Sequence, residues 1–236
     1  MFLFYLPNAL LISAAVIPDI VLLVMVHRAD RVDKEDPALL VRLVLMGVFA
    51  TAIAKLGERV GLIVLNAFFR YETVLYDVLM YFGVVAFAEE GAKYALLKRT
   101  TWGRPDFNCR FDGVVYATFV SLGFALWENI GYVMMSGLGT ALVRAVTAVP
   151  GHACFGVFMG CWYARAYELE RQGNAEASKS YRILSVLLPA LLHGAYDYLA
   201  VAMAYQSGWY FLAFVAVLFI ITYRLILRLS REDRYI

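Results

Sequence analysis

Seven long apolar stretches restrict the fold of this chain more than any other feature of its sequence. They lie at about residues 2–26, 38–58, 74–97, 112–135, 140–164, 183–203 and 208–228. A helix needs roughly 20 mostly apolar residues to cross a bilayer, and it satisfies its own backbone polar groups there. Because 62% of all residues are hydrophobic, little of the chain remains for anything else. The sequence therefore predicts an all-α, polytopic membrane helix bundle of about seven transmembrane helices, with residues 1–236 forming one integral-membrane domain.

The basic residues of the connecting segments predict how the bundle is oriented. Lys and Arg concentrate after the first, third, fifth and seventh stretches, in "HRADRVDK", "KRTTWGRPDFNCR", "ARAYELERQGNAEASKSYR" and "YRLILRLSREDR". Such residues favour the cytoplasmic side, and these four segments share one side only if the N-terminus is outside and the C-terminus inside. The predicted spans imply the lipid bilayer as a partner. No basic patch extends beyond one loop, so we expect no nucleic-acid partner.

The strongest functional signal is a set of ionisable residues deep within the apolar stretches. Its members are Asp19, Glu89, Glu90, Lys93, Glu128, His152, His193 and Asp197. Charge at the bilayer centre costs several kcal/mol, so such residues normally face the bundle interior and mark a site. A rise of 1.5 Å per residue places the glutamates and histidines ~12 to ~24 Å above the cytoplasmic ends of their helices. We expect them to converge on one cavity, whereas Arg144 near an outer end is interpreted as reaching water.

The residue types indicate hydrolysis. Two adjacent carboxylates in a low dielectric, Glu89 and Glu90, do not both ionise cheaply, which leaves one suited to act as a general base for water while Lys93 steadies the other. Two imidazoles can hold the water and a developing oxyanion, or together with carboxylate they can bind zinc. The H-E-x-x-H and G-x-S-x-G signatures are absent from the sequence. Both a metal-dependent and a metal-free mechanism stay open.

Four segments of the sequence resemble the motifs of the PrsW family of intramembrane proteases. They are "EEGAK" (89–93), "FDGVVYATFVSLGFALWENIGY" (111–132), "HACFGVFMG" (152–160) and "HGAYD" (193–197), in the family's order and on successive stretches. The beginning, "IPDIVLLVMVHRADRVDKEDP", is also similar. The chain departs from the family pattern at Ala117, where a glycine is common, and at Asp36, but neither is a polar site residue.

The resemblance implies a specific activity. Members are bacterial site-1 proteases of the cell membrane that cut an anti-sigma factor, a single-pass membrane protein, and they are related to the CAAX prenyl proteases. Matched by motif, the implied catalytic residues are Glu89, Glu90, Glu128, His152, His193 and Asp197, with Lys93 and Asn129 in support. A zinc cofactor is implied only as one of two alternatives, and its candidate ligands are His152, His193 and Glu128. The other alternative is a glutamate-activated water without metal.

Two other functions fit buried acids and histidines. A proton- or cation-coupled transporter uses such residues as a relay, but transporters often show inverted repeats, which this sequence lacks. A non-catalytic membrane immunity or binding protein would tolerate neutralisation of Glu89 or Glu90. The protease interpretation itself contains one tension. A site-1 cut lies at or beyond the outer face, whereas the depth of Glu89 leans towards the cytoplasmic side, unless a water-filled cavity opens outward or the boundaries of the third stretch are shifted.

Overall fold

The chain folds as a helical bundle in a computed structural model, which describes residues 5–71, 73–202 and 208–236. Its elements are α1 (Tyr5–Ala29), α2 (Pro37–Phe68), α3 (Val74–Val78), a π-helical run π1 (Leu79–Ala86), α4 (Phe87–Thr101), α5 (Arg110–Val146), α6 (Ala148–Arg171), α7 (Ala175–Asp197), a second π-helical run π2 (Tyr198–Ala202) and α8 (Gly208–Arg231). An isolated bridge joins Cys109 to Tyr235, and no β-strand occurs in the described part of the chain. The predicted all-α class is confirmed.

Five helical stretches are long and apolar enough to cross a membrane, namely Ala9–Ala29, Pro37–Phe68, Arg110–Arg171, Ala175–Val201 and Gly208–Arg231. The third of these contains both α5 and α6, which correspond to the predicted fourth and fifth spans. The predicted third span is helical but divided among α3, π1 and α4, and it falls short of the same measure of apolarity. A helical membrane bundle is thus confirmed, while the number seven and the orientation stay predictions. Residues 2–4 and 203, at the edges of two predicted spans, lie outside the described residues.

The chain turns back on itself within α5. Gly137 has φ of 81° and ψ of −169°, a backbone conformation that glycine adopts without a steric penalty. Beyond it, Ala141 packs with Ala15 and Val133. Arg144 forms an ion pair with Glu128, although the two positions would lie ~24 Å apart along a straight helix. The segment after Gly137 therefore folds back beside the first part of α5.

Close helix contacts at glycines hold α5 in the centre of the bundle. A Cβ atom on Gly123 would lie 2.2 Å from the carbonyl oxygen of Val44 on α2, and one on Gly160 would lie 2.4 Å from that of Gly113. Both contacts are with backbone, which cannot rotate away. Small residues let membrane helices approach in this manner. The spacing Gly156-x-x-x-Gly160 is typical of such an approach, and both glycines lie against α5.

The end of the bundle that carries the basic loops, here called the basic end, is filled with aromatic rings and covered by the C-terminal tail. Phe107 stacks on Tyr167 with ring centroids 4.1 Å apart and on Tyr163 at 5.5 Å. The carboxylate of Asp233 accepts the backbone N–H of Phe111 at 2.8 Å, at the start of α5. This packing closes the interior of the bundle towards the basic end.

Candidate active site

The first turns of α4 place two carboxylates and one ammonium inside the bundle. Glu89 and Glu90 lie three and four residues after the end of π1, and π-helical turns are frequent at functional sites. The Nζ atom of Lys93, which is fully buried, lies 2.6 Å from Oε1 of Glu90 and 3.7 Å from Oε2 of Glu89. A buried charge is tolerated when it is paired and hydrogen-bonded. Lys93 and Glu90 thus neutralise one another at the centre of the bundle.

His193 on α7 connects the Lys93–Glu90 ion pair with Glu89. Its Nδ1 atom lies 2.9 Å from Oε1 of Glu90, and because a carboxylate accepts, Nδ1–H donates. Its Nε2 atom points towards two further acids, 3.8 Å from Oε2 of Glu89 and 3.5 Å from Oδ2 of Asp197. The ring of Phe155 stacks on the imidazole at 4.8 Å. The hydrogen bond and the stacked ring together direct Nε2 to the side where Glu89 lies.

His152 on α6 joins the buried ammonium to α5. Its Nδ1 atom lies 3.2 Å from Nζ of Lys93 and its Nε2 atom 3.1 Å from Oε2 of Glu128. An ammonium has no acceptor, so Nδ1 must accept from Lys93 and Nε2–H must donate to Glu128. These two bonds define a neutral imidazole with its proton on Nε2. A continuous set of hydrogen bonds therefore runs from α7 through α4 and α6 to α5.

Arg144 belongs to the site, although its place in the sequence suggested an exposed outer end. Its Nη2 atom lies 2.9 Å from Oε2 of Glu128, and its Nε atom donates to Oδ1 of Asn129 at 2.8 Å. Asn129 in turn donates to the carbonyl oxygen of Ala15 at 2.8 Å. The water-reaching interpretation of Arg144 was wrong because the reversal at Gly137 brings the residue back to Glu128. The glycines of "MSGLGT" were the sequence signal for that reversal.

Glu89 differs from Glu90 in its free hydrogen-bonding capacity. Oε1 of Glu90 accepts from both Lys93 and His193. Within the described residues Glu89 forms no hydrogen bond, and its Oε2 atom, like Oε2 of Glu90, is buried without a hydrogen-bond partner. Oε2 of Glu89 lies 3.8 Å from Nε2 of His193, slightly farther than Oδ2 of Asp197 at 3.5 Å. Of the two adjacent carboxylates, Glu90 is therefore bound through one oxygen to two cationic or N–H donors, whereas Glu89 accepts no hydrogen bond within the described residues.

Three side chains in this site have ligand atoms close enough to share a metal ion. One atom each of Glu89, Glu90 and His152 lies within 4.8 Å of the others, and carboxylate with imidazole is a suitable donor set for zinc. Of the candidate ligands that the sequence suggested, this cluster contains His152 but neither His193 nor Glu128. The ammonium of Lys93 lies among the three ligand atoms. In this arrangement the cluster does not fit a zinc ion bound by all three, because two cations would occupy one place.

Comparison with known proteins agrees with the motifs. The profile of the family described as "PrsW family intramembrane metalloprotease" matches residues 35–223. "Protease PrsW" of Bacillus subtilis is 32% identical over 215 residues, covering 88% of this chain and 90% of the relative. The proteins of the same name from Clostridioides difficile and Geobacillus kaustophilus are 30% and 31% identical, covering 94% and 86% of this chain and 89% and 86% of the relatives.

No solved structure matches the chain. The family profile spans most of the sequence, and the relatives align with it over nearly their whole lengths. That agreement identifies an enzyme and favours it over the transporter and the non-catalytic membrane protein considered above. A multi-pass protein of the bacterial cell membrane fits both the relatives and the apolar helices. The chain belongs to the PrsW family of intramembrane proteases, which act on membrane-protein substrates.

Proposed function

We propose that the protein hydrolyses a peptide bond of a single-pass membrane protein with a water molecule that Glu89 activates. The observation that carries this proposal is the free, buried carboxylate of Glu89, 3.8 Å from Nε2 of His193. At that separation the two groups do not bond directly, but one water can contact both. A general base must lie within hydrogen-bond reach of the proton it takes, or one water away from it.

The reaction needs no other nucleophile. Glu89 takes a proton from the water, and the oxygen adds to the carbonyl carbon of the scissile bond to form a tetrahedral oxyanion. The proton then passes from Glu89 to the amide nitrogen, the C–N bond breaks, and an amine and a carboxylic acid leave. His193 and Asp197 orient the water from the opposite side. Protonation of the leaving nitrogen returns Glu89 to its carboxylate form, so the enzyme is regenerated.

The remaining polar residues act by positioning these groups. Glu90 fixes the tautomer and direction of His193, and Lys93 neutralises Glu90 within the bundle. His152 and Glu128 extend the same hydrogen-bonded chain to Arg144. Preorganised polar groups in a dry site need no reorientation during the reaction, which is a large part of enzymatic catalysis.

We propose an anti-sigma factor as the substrate, which the resemblance of the four motifs to the family implies. Membrane proteomes of cells that carry the native chain or Glu89→Gln as their only copy test this. We expect one single-pass protein to accumulate at full length in the variant, and its shortened form to be present with the native chain. Glu232→Gln, an exposed glutamate near the C-terminus, is the control and should match the native pattern. Equal single-pass proteomes for native and Glu89→Gln would contradict the proposal.

Cleavage should survive removal of metal. Lys93 already supplies a cation among Glu89, Glu90 and His152, so we expect the purified protein to keep its cleavage rate within about twofold after exhaustive chelation. Zinc per chain, measured by elemental analysis of the same sample, should be far below one. Activity lost on chelation and restored by zinc, together with loss of bound zinc in His152→Ala, would instead establish a metalloprotease.

A further inference from the structure

A groove between α2 and α5 reaches the candidate active site from the lipid. Its volume is about 470 Å³, within the range of about 300–1,000 Å³ typical of ligand sites. Its walls are formed by Thr51, Ala52, Lys55, Trp127, Gly131 and Met135. The inner wall consists of Phe124 and Glu128. Of these two, Glu128 is a member of the hydrogen-bonded site, so the groove and the site share a residue.

Phe124 separates the groove from the centre of the site by the thickness of one ring. The Nζ atom of Lys93 lies 4.2 Å from the centroid of this ring, and the imidazole of His152 lies 5.8 Å from it, centroid to centroid. A side chain that enters the groove thus contacts the ring of Phe124 and the carboxylate of Glu128, and each of these contacts other residues of the site. Access to the site from the basic end is blocked, since the aromatic packing around Phe107 fills that end of the bundle.

The groove lies in the half of the bundle away from the basic end. Both α2 and α5 begin at the basic end, and a rise of 1.5 Å per residue places Thr51 ~21 Å and Met135 ~37 Å from the starts of their helices. Trp127 and Met135 keep 57% and 87% of their surface exposed, which leaves the groove open to the bilayer. A substrate that enters the groove would approach Glu128 and the buried glutamates from the half opposite the basic end.

The lining indicates what the groove binds. Trp127, Met135 and Phe124 offer apolar surface, whereas the charged groups among the lining residues are Glu128 at the inner wall and Lys55, which is paired with Glu58 at 2.9 Å. An apolar wall with few polar groups selects apolar side chains. We infer that this groove binds an apolar side chain of the substrate next to the scissile bond and admits the substrate from the bilayer half opposite the basic end. The inference rests on the proposed protease function.

Gly131 allows a sharp test. A Cβ atom there would meet no other helix within 4 Å, and Gly131 lines the groove, so Gly131→Leu extends an apolar side chain into it from an open position. Gly139 on the same helix is equally open but does not line the groove, which makes Gly139→Leu a matched control. Ala52→Phe fills the groove from the α2 wall and provides a second variant.

The probe is a library of tagged single-pass proteins with a leucine–alanine membrane helix and a short randomised segment on the side opposite the basic end. A member that the native protein cleaves is sequenced at its cut, and the flanking residue is then changed among Ala, Leu, Phe and Asp. We expect the native protein to prefer Leu and Phe. Gly131→Leu and Ala52→Phe should lower the Phe-to-Ala cleavage ratio by at least about 10-fold, because a change of a single methylene in an apolar pocket already discriminates by about 10–200-fold.

Thermal unfolding of Gly131→Leu and Ala52→Phe should show midpoints close to that of the native protein, which shows that both variants are folded. An unchanged Phe-to-Ala ratio in both filled variants would overturn the groove assignment, as would an equal change in Gly139→Leu. Better cleavage of a library randomised on the side of the basic end would overturn the direction of entry. If Glu89→Gln cleaves every substrate as the native protein does, the protease mechanism fails instead, and this inference fails with it.

Discussion

Replacing Glu89 by glutamine should lower the cleavage rate by about 10²–10⁴-fold, the usual contribution of general-base catalysis. Glutamine keeps the shape of the side chain but cannot take the proton from water. Because Glu89 forms no hydrogen bond within the described residues, the rest of the site should stay in place. Single-turnover cleavage of a detergent-solubilised substrate measures the rate, and thermal unfolding of the same sample should show a midpoint close to that of the native protein.

The variant Glu90→Gln tests whether Glu90 positions its neighbours while Glu89 acts as the base. Glu90 is fully buried and is held by Lys93 and His193, so its neutralisation leaves an ammonium without its partner inside the bundle. Removing one partner of a buried ion pair typically costs about 3–5 kcal/mol, and we expect a clearly lower unfolding temperature as well as lost cleavage. Full cleavage by Glu89→Gln, or an unfolding temperature that falls as far as in Glu90→Gln, would remove Glu89 from the role of general base.

The substitution Gly123→Ala, which adds one methyl group, should destabilise the whole bundle. The new Cβ atom would lie 2.2 Å from the carbonyl oxygen of Val44 and 2.8 Å from its carbonyl carbon. Backbone cannot move aside as a flexible side chain does, so α2 and α5 must separate. Overpacking usually costs about 1–3 kcal/mol, and a rigid contact belongs at the upper end of that range. Thermal unfolding can be followed with a thiol-reactive dye, because Cys109 and Cys154 are buried until the bundle opens.

The same substitution elsewhere on α5 should have the opposite effect. A methyl group on Gly131 would have no atom of another helix within 4 Å, so Gly131→Ala introduces no contact between helices. Alanine is favoured over glycine in a helix by about 0.5–1 kcal/mol, so Gly131→Ala should unfold at the native temperature or slightly above it. If Gly123→Ala and Gly131→Ala unfold at the same temperature, the close contact between α2 and α5 does not hold the bundle together.

The orientation of the polar network has a consequence for substrate access. Glu128, Arg144 and the groove between α2 and α5 lie in the half of the bundle away from the basic loops. With the predicted N-out, C-in orientation, this half faces the outer side of the membrane. A site-1 cut near the outer face then requires no shift of the helix boundaries, because the groove leads inward from that side to Glu128.

The sequence by itself determined the helical membrane class and the candidate residues of the site. Apolar spans are legible because a bilayer demands about 20 apolar residues for each crossing, and an acid or histidine within them stands out because lipid penalises it. Glu89, Glu90, His152 and His193 could be selected on that ground without knowledge of the fold. The close approach of α6 to its neighbour was also readable, from the spacing of Gly156 and Gly160.

Only the tertiary structure decided which of these groups contact one another. Glu89 and Glu90 are adjacent in the chain, but the rotation of α4 gives both partners to Glu90 and leaves Glu89 free. Arg144 joins the site through a reversal at Gly137 that helical spacing does not predict. Hydrogen-bond partners come from helices distant in sequence, and their identity depends on how each helix is rotated and how closely its neighbours pack, which a periodic pattern within one helix does not encode.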